Sequence, residues 1–200
     1  MVFVFDLDDT ICKTDEYSEK YINKFFKQHN MPYKQIAKVV RFAEKKFDWS
    51  VEEANSWYKQ FGDQMMLEFP YKKNSVKIIN KLFNLGHTII IATARANDWH
   101  TKPEEITKQW LNKVGLKYSK LYVGRIDKEK ICEEENANFF IDDEIKYVQN
   151  AANYFNGSKN CQSFLMTTSY NLSLPCPQNV IRVKNFKEFK NELKKFEIKI

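Results

Sequence analysis

Apolar residues recur along this chain with two different periods. Val2-Phe3-Val4-Phe5 is an unbroken run of β-branched and aromatic side chains, the pattern of a short strand buried on both faces. Comparable runs return at Thr88–Ala92, Lys120–Val123, Asn138–Ile141, Ser163–Met166 and Val180–Val183. Between them the spacing turns helical over Ser75–Leu85, with Gly86 as a C-terminal stop, and over Pro103–Val114, Lys128–Glu135, Glu144–Asn153 and Phe186–Phe196. Ser173–Gln178, with two prolines, reads as a loop. Strands separated by helices predict an α/β fold: a Rossmann-like parallel sheet covered by helices on both faces.

Residues 14–73 interrupt that alternation. The pattern there predicts helices over Tyr17–Gln28 and Tyr33–Phe47 and a third starting at Ser50, where Ser50 and Glu53 have capping-box spacing. The block is rich in aromatics, enough to give a small helical unit its own interior. The expected organisation is an α/β core of residues 1–13 and 74–200 with an all-helical cap, 14–73, inserted. Tyr21, Phe25 and Phe26 are expected to pack inside the cap, leaving Tyr17 or Trp49 as the aromatics to offer a pocket.

Composition narrows the class further. A hydrophobic content of 43% supports a real core. Lys and Arg total 32 against 26 Asp and Glu, a net charge of +6 that is spread along the chain rather than blocked, so solvated basic helices explain it without a nucleic-acid surface. Cys12, Cys132, Cys161 and Cys176 form no CxxC pair and read as reduced thiols. With no basic leader and no apolar run near the about 18 residues of a membrane span, the expectation is a cytoplasmic protein without membrane partners.

The polar residues at the strand ends carry the chemistry. The first strand runs into Asp6, Asp8 and Asp9; Thr93, Ala94 and Arg95 follow the second; Lys128 opens the helix after the third; Asp142 and Asp143 end the fourth. Carboxyl ends of parallel strands converge, and that edge is where open α/β sheets bind ligands. Acids packed this closely repel one another unless a cation joins them, and an all-oxygen ligand set suits Mg²⁺. A metal, a lysine, a hydroxyl and an arginine beside a carboxylate nucleophile are the requirements of phosphoryl transfer. Taken singly, the aspartates also read as helix N-caps or solvated loop acids, and Lys128 competes with Lys130. Lys128 is preferred because the first helical turn faces the strand ends. His29, His87 and His100 show no convergent spacing and read as surface or packing residues.

The set resembles the haloacid dehalogenase (HAD) superfamily of phosphohydrolases, through Asp6-x-Asp8-x-Thr10, a strand ending in Thr93, Lys128 and the pair Asp142-Asp143. Response-regulator receiver domains use similar groups in a different order and lack the insertion after the first strand. The resemblance implies Asp6 as nucleophile, Asp8 as general acid and base, and Thr93 and Lys128 as phosphate-holding catalytic groups. It implies Mg²⁺ held by Asp6, the Asp8 carbonyl and Asp142, with Asp143 supporting a metal-bound water. Asp9, Thr93, Ala94, Arg95 and Lys128 form the implied substrate-binding set; Asp9 stands where the family often has Gly, with its backbone N–H toward phosphate.

Shorter stretches, among them Phe69-Pro70-Tyr71, Ile91 to Arg95, Thr107 to Leu111, Phe140 to Asp143, Thr168 to Asn171 and Arg182 to Phe186, resemble the 5'(3')-deoxyribonucleotidase group, whose helical caps close over small substrates. The implied activity is a Mg²⁺-dependent 5'-nucleotidase on (deoxy)nucleoside monophosphates working through an aspartyl-phosphate. Alternatives are another small phosphate ester, a nucleic-acid 3'-phosphate end, or a non-catalytic nucleic-acid-binding protein. A small phosphorylated partner, a nucleotide first, is favoured over nucleic acid.

Overall fold

The structure, a computed structural model, describes residues 1–40, 42–98, 100–158 and 161–200. Its strands are β1 (Val2–Phe5), β2 (Thr88–Thr93), β3 (Lys120–Val123), β4 (Phe139–Asp142), β5 (Gln162–Met166) and β6 (Val180–Val183). They form one sheet in the order β3-β2-β1-β4-β5-β6, and every pairing is parallel. The chain builds outward from β1 through β2 to β3, then crosses to β4 on the other side of β1 and continues to β6. That reversal puts a crevice at the carboxyl ends of β1 and β4.

Alternation along each strand divides the apolar runs between two cores. Phe3, Phe5, Ile89, Ile91, Phe139, Ile141 and Phe164 point to one face and pack with helices α3 (Ser75–Asn84), α4 (Pro103–Lys113) and α7 (Phe186–Leu193). Val4, Ile90, Ala92, Phe140 and Leu165 point to the other, against α5 (Lys128–Glu134) and α6 (Ile145–Phe155). Burying each large side chain contributes about 1.5–3 kcal/mol, so both faces have to be covered. Helix α3 ends as the sequence predicts: Gly86, at φ 84°, donates to Phe83 O and His87 donates to Leu82 O, a Schellman closure. No helix of the described residues is long and apolar enough to cross a membrane.

Between β1 and α3 lie α1 (Thr14–Gln28) and α2 (Val51–Glu68). The capping box at Ser50 is present, with both reciprocal bonds to Glu53. The helix expected over Tyr33–Phe47 is not: among its described residues only Ala43–Lys46 form a 3-10 turn. The segment instead folds back on itself, with Ile36 N–H donating to Lys46 O and Asp48 N–H to Lys34 O. Tertiary contacts outweigh the helical spacing here. Tyr33 stacks on Phe26 with ring centroids 4.1 Å apart, and the buried Lys46 ammonium pairs with Asp15 at 3.1 Å and Glu19 at 3.0 Å. Trp49 lies within an aromatic cluster with Phe25, Phe26, Phe47 and Trp57 and donates its indole N–H to Glu44 O at 2.7 Å. Tyr17 donates to Glu68 and meets the Phe69 ring edge-on.

Two chain segments join these helices to the sheet, and they are stitched together. Lys13 N–H donates to Pro70 O at 2.9 Å and Lys72 N–H to Ile11 O at 2.7 Å, while Trp110 of α4 donates its indole N–H to Phe69 O at 2.8 Å. Asp9 adds a link. It takes a left-handed conformation, φ 53°, which asparagine, aspartate and glycine tolerate best. Its carboxylate accepts the Asp15 N–H at 3.0 and 3.2 Å, satisfying an open donor of α1, whose N-cap residue Lys13 supplies no side-chain bond.

Burial, reinforced by the charge of Asp143, pushes the Asp9 carboxyl up to about 7. In the unfolded chain it titrates near its ordinary value of about 4, so the folded state holds the proton more tightly. The stability Asp9 contributes is therefore complete below about pH 4 and is lost as pH rises through about 7. Asp9→Asn retains an acceptor oxygen and the tolerance of positive φ while removing the charge. Denaturant titrations without divalent cations should show equal stability for the two proteins at acid pH. Above pH 7 the variant should lead by about 1–2 kcal/mol, an amount reduced to allow for partial exposure of the carboxyl; an unchanged difference across the pH range would refute this account.

Candidate active site

The reversal of strand order brings the predicted acids together. Asp6 follows β1, and its N–H donates to Ile141 O of β4 at 2.9 Å, fixing it beside Asp142 at the end of that strand. Asp6, Asp142 and Asp143 are all buried, and each offers a carboxylate oxygen within 4.8 Å of the others. Lys128, the first residue of α5, projects into this group. Its ammonium donates to Asp6 at 2.6 Å and to Asp142 at 2.7 Å and lies 4.7 Å from the centre of the Tyr147 ring. Asp127 holds the helix start in place by accepting the N–H groups of Glu129 and Lys130.

The electrostatics follow from packing three acids around one cation. Burial pushes Asp6 well above the usual carboxylate range; Lys128 opposes the shift, while Asp142, Asp143 and Asp8 add to it. Burial also disfavours the Lys128 charge, but Asp142 and Asp6 outweigh it and raise the ammonium pKa. One lysine cannot neutralise three carboxylates, and a divalent cation among them would oppose the upward shift of Asp6. The donor set, carboxylate oxygen throughout, fits a hard ion such as Mg²⁺.

Asp8 faces the other way. The Arg95 guanidinium grips it as a fork, Nε and Nη2 each 2.8 Å from a carboxylate oxygen, and the Thr14 and Thr93 hydroxyls donate at 2.7 and 3.3 Å. Burial would raise the Asp8 carboxyl, but Arg95 and Thr14 prevail and hold it down to about 2. Arg95 is itself buried, 5.8 Å from the centre of the Phe69 ring and within reach of Thr107. Thus Thr93 and Arg95, expected on phosphate, have their side chains on Asp8. Ala94 is exposed beside them. His100, read from sequence as a bystander, is half-buried within the fields of Arg95 and Asp8; burial and Arg95 push its imidazole down to about 4.

Several residues with no role assigned from sequence complete the site. Thr10 donates to Asp143 Oδ1 at 2.8 Å, and the Tyr170 hydroxyl donates to Asp143 Oδ2. Asn171, 2% exposed, donates to the backbone carbonyls of Asp143 at 2.8 Å and Met166 at 2.9 Å. Its own amide oxygen accepts from Thr168 N–H and from Arg182. The loop after β5 is thereby clamped onto the acid pair. Its signal in the sequence is the Thr168–Asn171 stretch followed by Arg182, conspicuous as a pattern but silent about contacts. A cleft of about 640 Å³ opens nearby between the ends of β2 and β3, lined by Ala96, Asn97, Val123 and Gly124 among others. Its cations are paired with its acids, Arg125 with Asp98 and Lys108 with Glu104, so it has no bias toward anions.

No protein-family model matches the sequence, and no curated protein does. Solved structures do match, among them haloacid dehalogenase-like hydrolases and phosphatases. The HAD-type protein YfnB of Bacillus subtilis, in a magnesium-bound form, superposes with a TM-score of 0.63 at 13% identity, over 96% of this chain and 98% of that one. CbbY from Rhodobacter sphaeroides, in complex with phosphate, gives 0.61 at 12% identity, over 94% and 95%. A protein of Haemophilus somnus described as a predicted phosphoglycolate phosphatase gives 0.60 at 17% identity, over 96% of each chain. At these identities the likeness is one of fold, and the chain has the α/β fold of the haloacid dehalogenase-like hydrolases.

Proposed function

We propose that this protein is a Mg²⁺-dependent phosphomonoesterase that works through an aspartyl-phosphate on Asp6. The observation that carries the proposal is the meeting of Asp6, Asp142, Asp143 and Lys128 at the point where the strand order reverses. Asp6, Asp142 and Asp143, with the Asp8 carbonyl, are the groups to hold the metal. When bound, Mg²⁺ supplies positive charge to the phosphoryl oxygens.

The chain's own residues account for the rest. An Asp6 carboxylate oxygen attacks phosphorus and the ester oxygen leaves with a proton from Asp8. Asp8 then takes a proton from water, whose oxygen attacks the aspartyl-phosphate, releasing phosphate and restoring Asp6. Lys128 offsets charge on the phosphoryl oxygens. In the observed arrangement Asp8 is held ionised by Arg95, which suits the base but not the acid. A phosphate ester, a second anion within reach of Arg95, would compete for the guanidinium and free Asp8 to carry a proton. Thr93 and the N–H of Ala94 would supply donors to phosphate, and residues 14–73 would serve as a helical cap over the mouth.

We place (deoxy)nucleoside 5'-monophosphates first as substrates, supported by the resemblance of the shorter sequence stretches to 5'(3')-deoxyribonucleotidases. A panel of nucleotides, sugar phosphates and oligonucleotides with 3'-phosphate ends, assayed for phosphate release, tests the ranking; preference for another class would overturn it. Asp6→Asn should abolish turnover and preserve the fold, and EDTA should remove activity that Mg²⁺ restores. Activity surviving either treatment would be incompatible with the mechanism.

The clamp on Asp143 supports a second prediction. Asn171→Ala removes the bonds to the backbone carbonyls of Asp143 and Met166 while leaving every proposed metal-binding carboxylate in place, and loss of such outer partners costs about 10- to 100-fold in metal affinity. Calorimetric titration with Mg²⁺ should show weakening in that range. Wild-type affinity in a folded variant would mean that Asn171 serves the loop alone.

A further inference from the structure

Among the described residues, the cations named at the mouth of the sheet are engaged, with one exception. Lys128 bridges Asp6 and Asp142, and Arg95 grips Asp8. Lys72 differs. It lies on the segment returning from α2 to the sheet, where its N–H bonds to Ile11 O at 2.7 Å and its neighbour Tyr71 bridges to Cys12. This pairing anchors its backbone against the end of the Asp6–Thr10 loop. The side chain is half-buried, and its ammonium makes no hydrogen bond or ion pair among the described residues, yet it sits within the fields of Asp9, Asp143 and Asp6. Burial lowers its pKa in spite of those acids.

A lysine that gives up hydration without closing on any carboxylate is poorly satisfied by the protein alone. Its backbone is pinned to Ile11, directly after the Asp6–Thr10 loop, and the acids whose charge it feels are those around the proposed nucleophile, so an anion arriving at Asp6 would enter its field. We propose that Lys72 is a third cationic ligand for the substrate phosphoryl group, donating to one of its oxygens from the hinge between the helical cap and the sheet. This rests on the phosphomonoesterase reading and deepens it. Lys128 approaches phosphate from the rigid edge of the sheet, whereas Lys72 approaches from the connection to the cap. Occupancy of the phosphate site is thereby coupled to the position of that hinge.

The competing role for Lys72 is a counter-charge to Asp9 and nothing more. Lys72→Met and Lys72→Gln separate the two, the second guarding against poor folding of the first, with Lys72→Arg as the conservative control. On the Mg²⁺-loaded protein, loss of one charge-assisted bond should raise the calorimetric dissociation constant of inorganic phosphate and the KM for an ester by roughly 10- to 100-fold. The Mg²⁺ dissociation constant should not rise, since a positive charge has been removed from beside the acids, and Lys72→Arg should recover most of the phosphate affinity. A folded variant with altered thermal stability but wild-type phosphate affinity and KM would overturn the assignment while leaving the hydrolase standing. Conversely, Lys72-dependent phosphate binding without turnover of any ester would sustain the assignment and defeat the hydrolytic reading. Absence of both binding and turnover would sink the two together.

Discussion

Concentrated negative charge in a place with little water is the constraint around which this molecule is organised. Asp6, Asp142 and Asp143 are brought together by the backbone, because β1 and β4 are neighbours in the sheet and each ends in an acid. Burying mutually repelling carboxylates is costly, and the fold offsets the cost only in part. Lys128 pairs with two of them, while Thr10 and Tyr170 donate to the third. What remains is a deficit of positive charge that a hard divalent cation can fill. The arrangement is thus more intelligible as a binding site than as a stabilising core feature.

The sequence exposed the sheet and its active edge because both rest on local signals. Unbroken apolar runs mark strands buried on two faces, and an acid immediately after such a run has few places to go except the carboxyl edge. Order of appearance did the remaining work for Asp6, Thr93, Lys128 and Asp142. Contacts made across long sequence separations were a different matter. Nothing near Asn171 in the chain announces that its amide will close on Asp143, and nothing near Lys72 announces that it will lie within the field of Asp9. The fork between Arg95 and Asp8 was likewise hidden: a motif read strand by strand assigns each residue to an absent substrate and overlooks that two of them satisfy each other.

The failed helix over Tyr33–Phe47 has the same origin. Its spacing is helical, but Pro32 precedes it and no capping residue opens it, so local preference is weak. Stacking of Tyr33 on Phe26, burial of Phe47 and the ion pairs of Lys46 reward a folded-back path that brings both ends of the segment onto α1. Where a true start signal exists, at Ser50, the helix forms as read. The aromatics of this block are largely consumed in holding it together. Trp49 in particular packs among other rings.

That junction links the proposed chemistry to the insertion. Asp9 accepts a free N–H in the first turn of α1 while sitting in the same loop as Asp6 and Asp8, and its left-handed backbone is the bend that turns the chain from the sheet into the helices. On the return side, Pro70 and Lys72 pair with Lys13 and Ile11, and Phe69 covers Arg95. Any displacement of α1 and α2 relative to the sheet must therefore pass through residues that touch Asp8 or Asp9. A glycine at position 9 would supply the bend but no carboxylate to hold α1. The aspartate exchanges conformational ease for a mechanical connection, and it does so beside Asp143, where its charge is least comfortable. A cation bound between these acids would relieve that discomfort. On the proposed metal site, loading of the cation and anchoring of α1 would thus be coupled through the Asp9 side chain.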